Sequence, residues 1–401
     1  MNILILDHKS FGIEDLKEAL KRMGHSYKLI SDPAIRDRVD EGFKTRFLTE
    51  CEKSHYDCAF SFNYSPLISN CCNLINLPYV CLIYDSPQIN TFSYTIINPC
   101  NHIYTFDSAD YFRFADQGIK SIHYMPLPVN VHRLDKQLGS PYDKTSESTT
   151  NITHPNYSAD ISFIGSMYNE KHNLYDRLVK AGINDYTRGY LEAIMDAQEK
   201  VYGSFYLEDL ITGPILEEML DKMEVKANPD GVETVSYVYA NYFLCRKLAN
   251  KERTHILQAL DRSLAKKYKV SLYTHNPVDF LENVHTFGPV DYYDHMPHIF
   301  RQTKINLNIS LRSIRSGIPL RCMDILASKG FLMSNYQEDF LRHFIDGEDL
   351  CLYDSKEDLL RKCNYYLEHD DKREAMALSA YEKVKENHSY EKILNLIFQD
   401  L

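Results

Sequence analysis

No two of the 15 glycines are spaced G-x-G, and none opens a G-x-x-x-x-G-K-[ST] run. The dinucleotide fingerprint needs paired glycines so that a pyrophosphate can approach the backbone after the first strand. Their absence argues against a standard NAD or FAD enzyme, and the missing phosphate loop excludes a P-loop NTPase. The ten cysteines contain no C-x-x-C pair and the 16 histidines no H-x-x-x-H pair, so no structural zinc is expected. Scattered cysteines of this kind read as reduced, mostly buried thiols of a cytoplasmic protein. No apolar run approaches the roughly 20 residues of a membrane span, and the start MNILILDHKSFG lacks the basic and apolar regions of a secretory signal. Basic residues are outnumbered, with 45 Lys and Arg against 56 Asp and Glu, a formal charge of −11. Broad binding to nucleic acid is therefore not expected, although a local anion site is compatible with it.

What is present is an ordinary globular composition, 44% hydrophobic and 25% charged, in 401 residues, enough for two domains with separate cores. Ile3–Leu6 reads as a buried strand. Ile13, Leu16, Leu20 and Met23 follow at helical spacing, Gly24 ends that helix, and Tyr27–Ile30 reads as a second strand. This β-α-β start predicts a parallel sheet. Further strands are expected at Cys58–Phe62, Tyr79–Tyr84, His102–Phe106 and Ser121–Met125.

Residues 136–158 are polar and turn-rich, the best linker in the chain. Within them Asn151-Ile-Thr matches a glycosylation acceptor, set aside because no export signal accompanies it. Asp160–Ile164 opens a second α/β series, a mainly helical elaboration fills about 172–265, and strands resume at Val270–Tyr273, His285–Phe287, Ile305–Ile309, Phe331–Ser334 and Leu350–Tyr353. The expected organisation is a first Rossmann-like domain over 1–135 and a second over 159–385. A C-terminal helix, 386–401, would be placed to cross back. Both domains are doubly wound, and they face each other across a cleft.

Residues 309–330, ISLRSIRSGIPLRCMDILASKG, place Arg312, Arg315 and Arg321 between a strand and the first turn of a helix, with Asp324 one turn further. A cation at a helix start opposes the backbone dipole, a local conflict that an anion site would produce. Arginines and free N–H groups suit a diphosphate, and a carboxylate beside them suits the two hydroxyls of a ribose. Together they describe a nucleoside diphosphate. The simpler alternative makes Arg312 and Arg315 solvated charges and Arg321–Asp324 an i,i+3 ion pair.

The stretch from His285 to Asp370, with FSFNYSP (60–66), IYDSP (83–87), YMPLPVN (124–130) and FIGSMYNEKHNLYDR (163–177), resembles GT-B glycosyltransferases. It looks closest to the spore-maturation, CgeB-like group with a family-1/4-like C-terminal donor domain. The resemblance implies sugar transfer from a nucleotide-diphosphate donor, best guessed as a UDP-sugar, to a glycan or protein acceptor. The donor would sit on the second domain and the acceptor on the first. Asp324 falls where relatives carry the second glutamate of E-x7-E, the ribose ligand. Gly165, Ser166 and Lys171 fall at their diphosphate loop, and Tyr84-Asp85 borders the reaction centre. Asp85 is then the candidate base or orienter for the acceptor hydroxyl, with Arg321 facing the leaving group. Its simpler reading is a cap on the Ser86-Pro87 turn.

Three positions depart from the pattern: Ser316 replaces the first glutamate, Asp324 is one methylene shorter than glutamate, and Lys329 replaces a glycine. His275 follows a strand and is a candidate for the donor base or phosphate, or simply a satisfied polar residue. Tyr292 and Tyr293 are candidates to line the cleft. Asp346-Gly-Glu-Asp349 reads as a solvated turn, so no metal or other cofactor is expected, and arginines would meet the leaving charge instead. An epimerase or phosphorylase of the same fold, and a catalytically silent nucleotide-sugar or glycan-binding protein, stand as alternatives.

Overall fold

The computed structural model describes residues 1–139 and 157–401. Most of the expected linker and the Asn151 acceptor motif lie outside the described residues. Twelve strands form two six-stranded sheets. The first contains β1 (Asn2–Asp7), β2 (Ser26–Ser31), β3 (Cys58–Phe62), β4 (Tyr79–Ile83), β5 (Asn101–Thr105) and β6 (Ile122–Tyr124). The second contains β7 (Ala159–Ile164), β8 (Val270–Tyr273), β9 (His285–Phe287), β10 (Thr303–Asn308), β11 (Leu332–Asn335) and β12 (Cys351–Tyr353). All pairings are parallel, so the fold is α/β and doubly wound twice over.

The first sheet runs β2-β1-β3-β4-β5-β6 and reverses its order between β1 and β3. The second runs β12-β11-β10-β7-β8-β9 and reverses between β7 and β10. Their central strands, such as Ile3–Leu6 and Tyr79–Ile83, are buried on both faces, which explains why they read as continuous apolar runs rather than alternating ones.

Each sheet is covered by helices on both faces. The last helix, Tyr390–Gln399, packs Tyr390, Ile393, Leu394 and Ile397 into the core beside β1 and the helix Ile13–Arg22. It is separated from the preceding helix Asp370–Asn387 at His388-Ser389. Between β7 and β8 lies a helical insert with its own core, including Leu191, Met195, Tyr239 and Leu244. It contains a π-helical turn at Tyr239–Leu244.

The insert touches the first half directly. Tyr94 N donates to Asp230 O at 2.8 Å and Val232 N to Phe92 O at 2.9 Å, while Asp230 pairs with Arg38 at 2.9 Å. All ten cysteines are free, and all but Cys51 are buried. No described helix is long and apolar enough to cross a membrane.

Candidate functional site

Open parallel sheets collect ligands at the carboxyl ends of the strands where their order reverses. At that place in the second sheet stands Arg253, from the helix Cys245–Ser263. It is 7% exposed. It donates to Ser166 O, just past β7, and to Ile309 O, just past β10, at 2.6 Å. Its guanidinium lies 5.3 Å from the Phe163 ring centre and 4.8 Å from that of Tyr168. Nε has no hydrogen-bond partner, and no carboxylate pairs with this cation among the described residues.

Arg321 lies nearby in the first turn of the helix Leu320–Ala327. Its hydrogen bond goes to the Met296 sulfur, and no ion pair holds it among the described residues. Burial lowers its pKa, with Asp324 and Tyr292 opposing and the neighbouring Arg253 charge adding to the decrease. Asp324 is 6% exposed and accepts from Tyr292 Oη at 3.0 Å. Burial pushes its carboxyl up to about 7, against the pull of Arg321 and the Tyr292 bond. Arg321 and Asp324 are therefore not the i,i+3 ion pair of the simpler reading.

The loop after β7 is tied to the loop after β8. Gly165 N donates to Tyr273 O at 3.1 Å, and a Cβ at Gly165 would lie 2.9 Å from Phe163 Cζ. Ser166 Oγ and Met167 N both donate to Asn276 Oδ1, at 3.0 and 2.7 Å. His275 is exposed beside them, 4.0 Å from Glu170 Oε1, and Lys171 is exposed in the turn that follows. Asn276, Thr274, Asp279 and Phe287 contribute to a cavity of about 490 Å³ along the same edge.

Two expected anion ligands are corrected. Arg312 is buried and bidentate to Glu252, at 2.8 and 3.1 Å. It also donates to Val201 O and Glu199 O and stacks 3.7 Å over Tyr202. Four of its five N–H groups are thereby engaged, which leaves little for a diphosphate. Arg315 pairs with Glu208 at 2.8 Å, and Glu208 also holds Arg113 at 2.6 Å. Both arginines tie the segment to the helical insert.

Arg253 is the residue that sequence reasoning missed. A signal existed: Glu252 and Arg253 interrupt the buried stripe Leu248, Ala249, Ile256, Leu257 and Leu260 of their helix, where charges need a specific partner.

On the first sheet, Asp85 follows β4 and accepts from Asn63 Nδ2 at 2.8 Å. Asn63 Oδ1 takes Tyr84 N and Asp85 N at 3.1 and 3.2 Å. The Asp85 carboxylate thus bonds across to the β3 loop rather than capping its own turn. It is open to solvent on one side, while the surrounding protein raises its pKa against the Asn63 bond.

Residues 246–399 match a family model described as glycosyl transferase-like. No curated protein matches the chain in sequence. Among solved structures, a glycosyltransferase from Rickettsia africae ESF-5 aligns with TM-score 0.51 and 11% identity, over 100% of this chain and 97% of that one. Sucrose-phosphate synthase from Thermosynechococcus elongatus aligns with TM-score 0.52 and 8% identity, over 100% and 98%. Anabaena HepE, solved with UDP-glucose, aligns with TM-score 0.53 and 11% identity, over 100% and 99%. The fold is GT-B. With the family match it supports a GT-B glycosyltransferase.

Within that fold the departures at Ser316 and Lys329 have structural roles. Ser316 Oγ donates to Asp107 Oδ1 at 2.7 Å and accepts from Ala109 N at 2.9 Å, both from the first half. Lys329 adopts φ 59° and reaches Asp135 at 2.8 Å and Gly139 O at 2.6 Å, anchoring the last described turn before the linker. Tyr292 and Tyr293 stand by Arg133, whose guanidinium lies 5.9 and 5.0 Å from their rings. The acidic turn is not simply solvated, because Asp349 is fully buried on Ser379 and Lys383.

Proposed function

We propose that the protein transfers a sugar from a nucleotide-diphosphate donor held on the second sheet to an acceptor held on the first. The observation that carries this reading is the pair Arg253 and Arg321. Two largely desolvated cations without carboxylate partners stand at the strand-order reversal, with the Asp324 carboxylate one helical turn away. A buried charge is costly unless something compensates it, and a diphosphate would do so for both. Charge-assisted bonds of this kind each contribute about 1.5–3 kcal/mol.

When the glycosidic bond breaks, the departing diphosphate gains negative charge, which Arg321 and Arg253 can meet without reorganising. Lys171 and the start of the helix Leu320–Ala327 add positive potential. This supply of charge is the basis for expecting metal-independent transfer, and loss of activity in a chelator with recovery in a divalent ion would refute it. Asp324 would hold the ribose hydroxyls, and Asp85 would orient or deprotonate the acceptor hydroxyl. HepE, of like fold, was solved with UDP-glucose, which makes UDP-glucose the first donor to test. Motifs such as IYDSP (83–87) and FIGSMYNEKHNLYDR (163–177) support reading the chain as CgeB-like within that fold, and the free, mostly buried thiols support a reducing, cytoplasmic setting.

The deciding experiment is a thermal-shift titration with UDP, followed by release of UDP from UDP-glucose. UDP at about 100 times its Kd should add about 2.7 kcal/mol of stability, and Arg321→Ala should remove most of that gain. An equal shift in wild type and Arg321→Ala would sink the site assignment. The silent-binding alternative draws on Ser316, which stands in place of a catalytic-pattern glutamate and is used in packing. UDP binding with no UDP release under any condition would favour it.

A further inference from the structure

We infer that the acceptor is a carbohydrate and that Phe11, Asn63 and Asp85 form the platform that binds it, a conclusion that rests on the transferase reading above. The first sheet reverses its strand order between β1 and β3, so its own ligand crevice opens at the carboxyl ends of those strands. Phe11 follows β1 and Asn63 follows β3, and Asp85 follows the adjacent β4.

A single exposed apolar side chain is unremarkable on a protein surface. Phe11 differs in how it is presented. It is 63% exposed on a loop that is built rather than loose. The Asp7 carboxylate accepts from Lys9 N at 2.9 Å and from Ser10 N at 3.0 Å. Lys9 and Gly12 both take positive φ, 56° and 82°, turning the chain sharply on either side of the ring. A Cβ at Gly12 would lie 2.8 Å from Tyr390 Oη, so the loop is clamped from below by the last helix. Across the cleft the Phe11 ring sits 6.0 Å from that of Tyr292, tilted by 59°. Tyr292 is the residue that donates to Asp324. The platform therefore adjoins the proposed donor site through one aromatic contact.

The polar half of the platform is equally fixed. Asn63, itself at φ 57°, holds Asp85 through its amide nitrogen and the Tyr84–Asp85 main chain through its amide oxygen. The Tyr84 hydroxyl lies against Ser10 and the Phe11 main chain, joining the two loops. At the sheet β1 and β4 are two strand spacings apart, about 9–10 Å, so the loops that leave β1, β3 and β4 open side by side over a width on the scale of one sugar unit with its substituents. An exposed aromatic face suits the C–H face of a sugar ring. The Asp85 carboxylate and the one N–H of the Asn63 amide left unused among the described residues suit its hydroxyls, one of which would be the nucleophile beside Asp85. A peptide side chain needs neither the flat aromatic surface nor paired polar groups at this separation.

The test uses the full-length protein on an immobilised-glycan array and a parallel peptide array, with the UDP thermal shift measured on the same samples. Wild type should retain at least one glycan class. Phe11→Ala should weaken that retention at least tenfold, and Phe11→Trp should keep it within about threefold. Phe11 is exposed, so neither variant disturbs the core, and an intact UDP shift verifies the fold. Retention of no glycan, equal retention by Phe11→Ala, or Phe11-dependent capture of peptides instead of glycans would each overturn the inference. Phe11-dependent glycan retention without any UDP shift in wild type would refute the transferase reading and leave the platform as a carbohydrate site.

Discussion

Asp107 and Asp339 exchange hydrogen-bond donors between the two halves of the molecule. Asp107, at the end of the first half's β5 loop, accepts Arg315 N at 2.7 Å and Ser316 N at 3.2 Å from the second half. Asp339, in the second half, accepts Ser108 N at 2.9 Å and the Ser108 hydroxyl from the first. Ser316 Oγ lies between them, 2.7 Å from Asp107 Oδ1 and 3.3 Å from Asp339 Oδ2. Both carboxylates are fully buried, and Gly317 passes so close that a Cβ there would be 2.8 Å from Phe106 O.

This arrangement decides what happens when the missing glutamate is restored. Ser316→Glu would add a third carboxylate to a buried site that already contains two, and the neighbouring cation, Arg342, is already paired with Asp339 at 3.0 Å. The expected cost exceeds about 3 kcal/mol, because an unpaired charge would be buried. Ser316→Ala should cost less, about 1–3 kcal/mol, for donors and acceptors left unmatched. Urea unfolding midpoints should rank wild type above Ser316→Ala and Ser316→Ala above Ser316→Glu. A Ser316→Glu protein as stable as wild type would show that the two halves are not fastened here.

Two arginines of one short segment should fail in opposite ways. Arg312→Met breaks the buried pair with Glu252 and leaves that carboxylate without a cation, held only by the Tyr202 hydroxyl at 2.9 Å, an expected loss of about 3 kcal/mol or more. Arg321→Met removes a desolvated cation that has no ion pair, so thermal stability without ligand should hold or rise. Isothermal titration with UDP should show at least a tenfold loss of affinity in Arg321→Met. Destabilisation by Arg321→Met comparable to that of Arg312→Met would mean that Arg321 is structural.

The contrast also marks how far the sequence could be read. All twelve strands lie within a few residues of the expected positions, from Ile3–Leu6 to Leu350–Tyr353; the central ones are legible because strands buried on both faces leave unbroken apolar runs, whereas the exposed edge strands β2 and β9 follow from the alternation of elements. The strand–loop–helix setting of Arg321 and Asp324 was equally local and equally legible. The partners of Arg312 and Arg315 were not. Glu252 and Glu208 come from the helical insert, 60 and 107 residues away in sequence, and no local pattern pairs them. The same distance hid Arg253, whose neighbours Ser166 and Ile309 follow two different strands, β7 and β10. Ser316 and Lys329 were visible as departures, but their reasons, Asp107 and Asp135, lie in the other half of the chain.

Lys329→Gly would restore the glycine of the pattern and relieve a left-handed φ of 59°, a gain of about 1 kcal/mol. It would also strip Asp135 of its Lys329 partner, leaving it with Tyr381. Losing one member of a largely buried pair costs about 3–5 kcal/mol, so the net change should be destabilising by about 2–4 kcal/mol. A lower melting temperature with an unchanged UDP affinity is expected. A rise in melting temperature would show that backbone strain outweighs the anchor.

Asp324→Asn should make the protein more stable and less able to bind its donor. Burial raises the Asp324 carboxyl from the ordinary range to about 7. Below pH about 4 the group is protonated in both the folded and unfolded chain, and it contributes no difference. Between about 4 and 7 the folded state keeps a proton that the unfolded state releases, so stability falls as pH rises through that window. At about 1.4 kcal/mol per pH unit, the accumulated penalty at pH 8 reaches up to about 4 kcal/mol. Asparagine has no charge to bury and can still accept from Tyr292 Oη. Asp110, also pushed up to about 7 by burial, has the same sign but is common to both proteins, so the difference between wild type and variant isolates Asp324. Melting temperatures should therefore coincide near pH 4 and diverge above it, with Asp324→Asn the higher at pH 8. In the same variant UDP should bind at least tenfold more weakly while inorganic pyrophosphate is unaffected, since the carboxylate serves the ribose and the arginines the diphosphate. An equal loss for both ligands would move Asp324 out of the ribose position, and parallel melting curves across the pH range would refute its raised pKa.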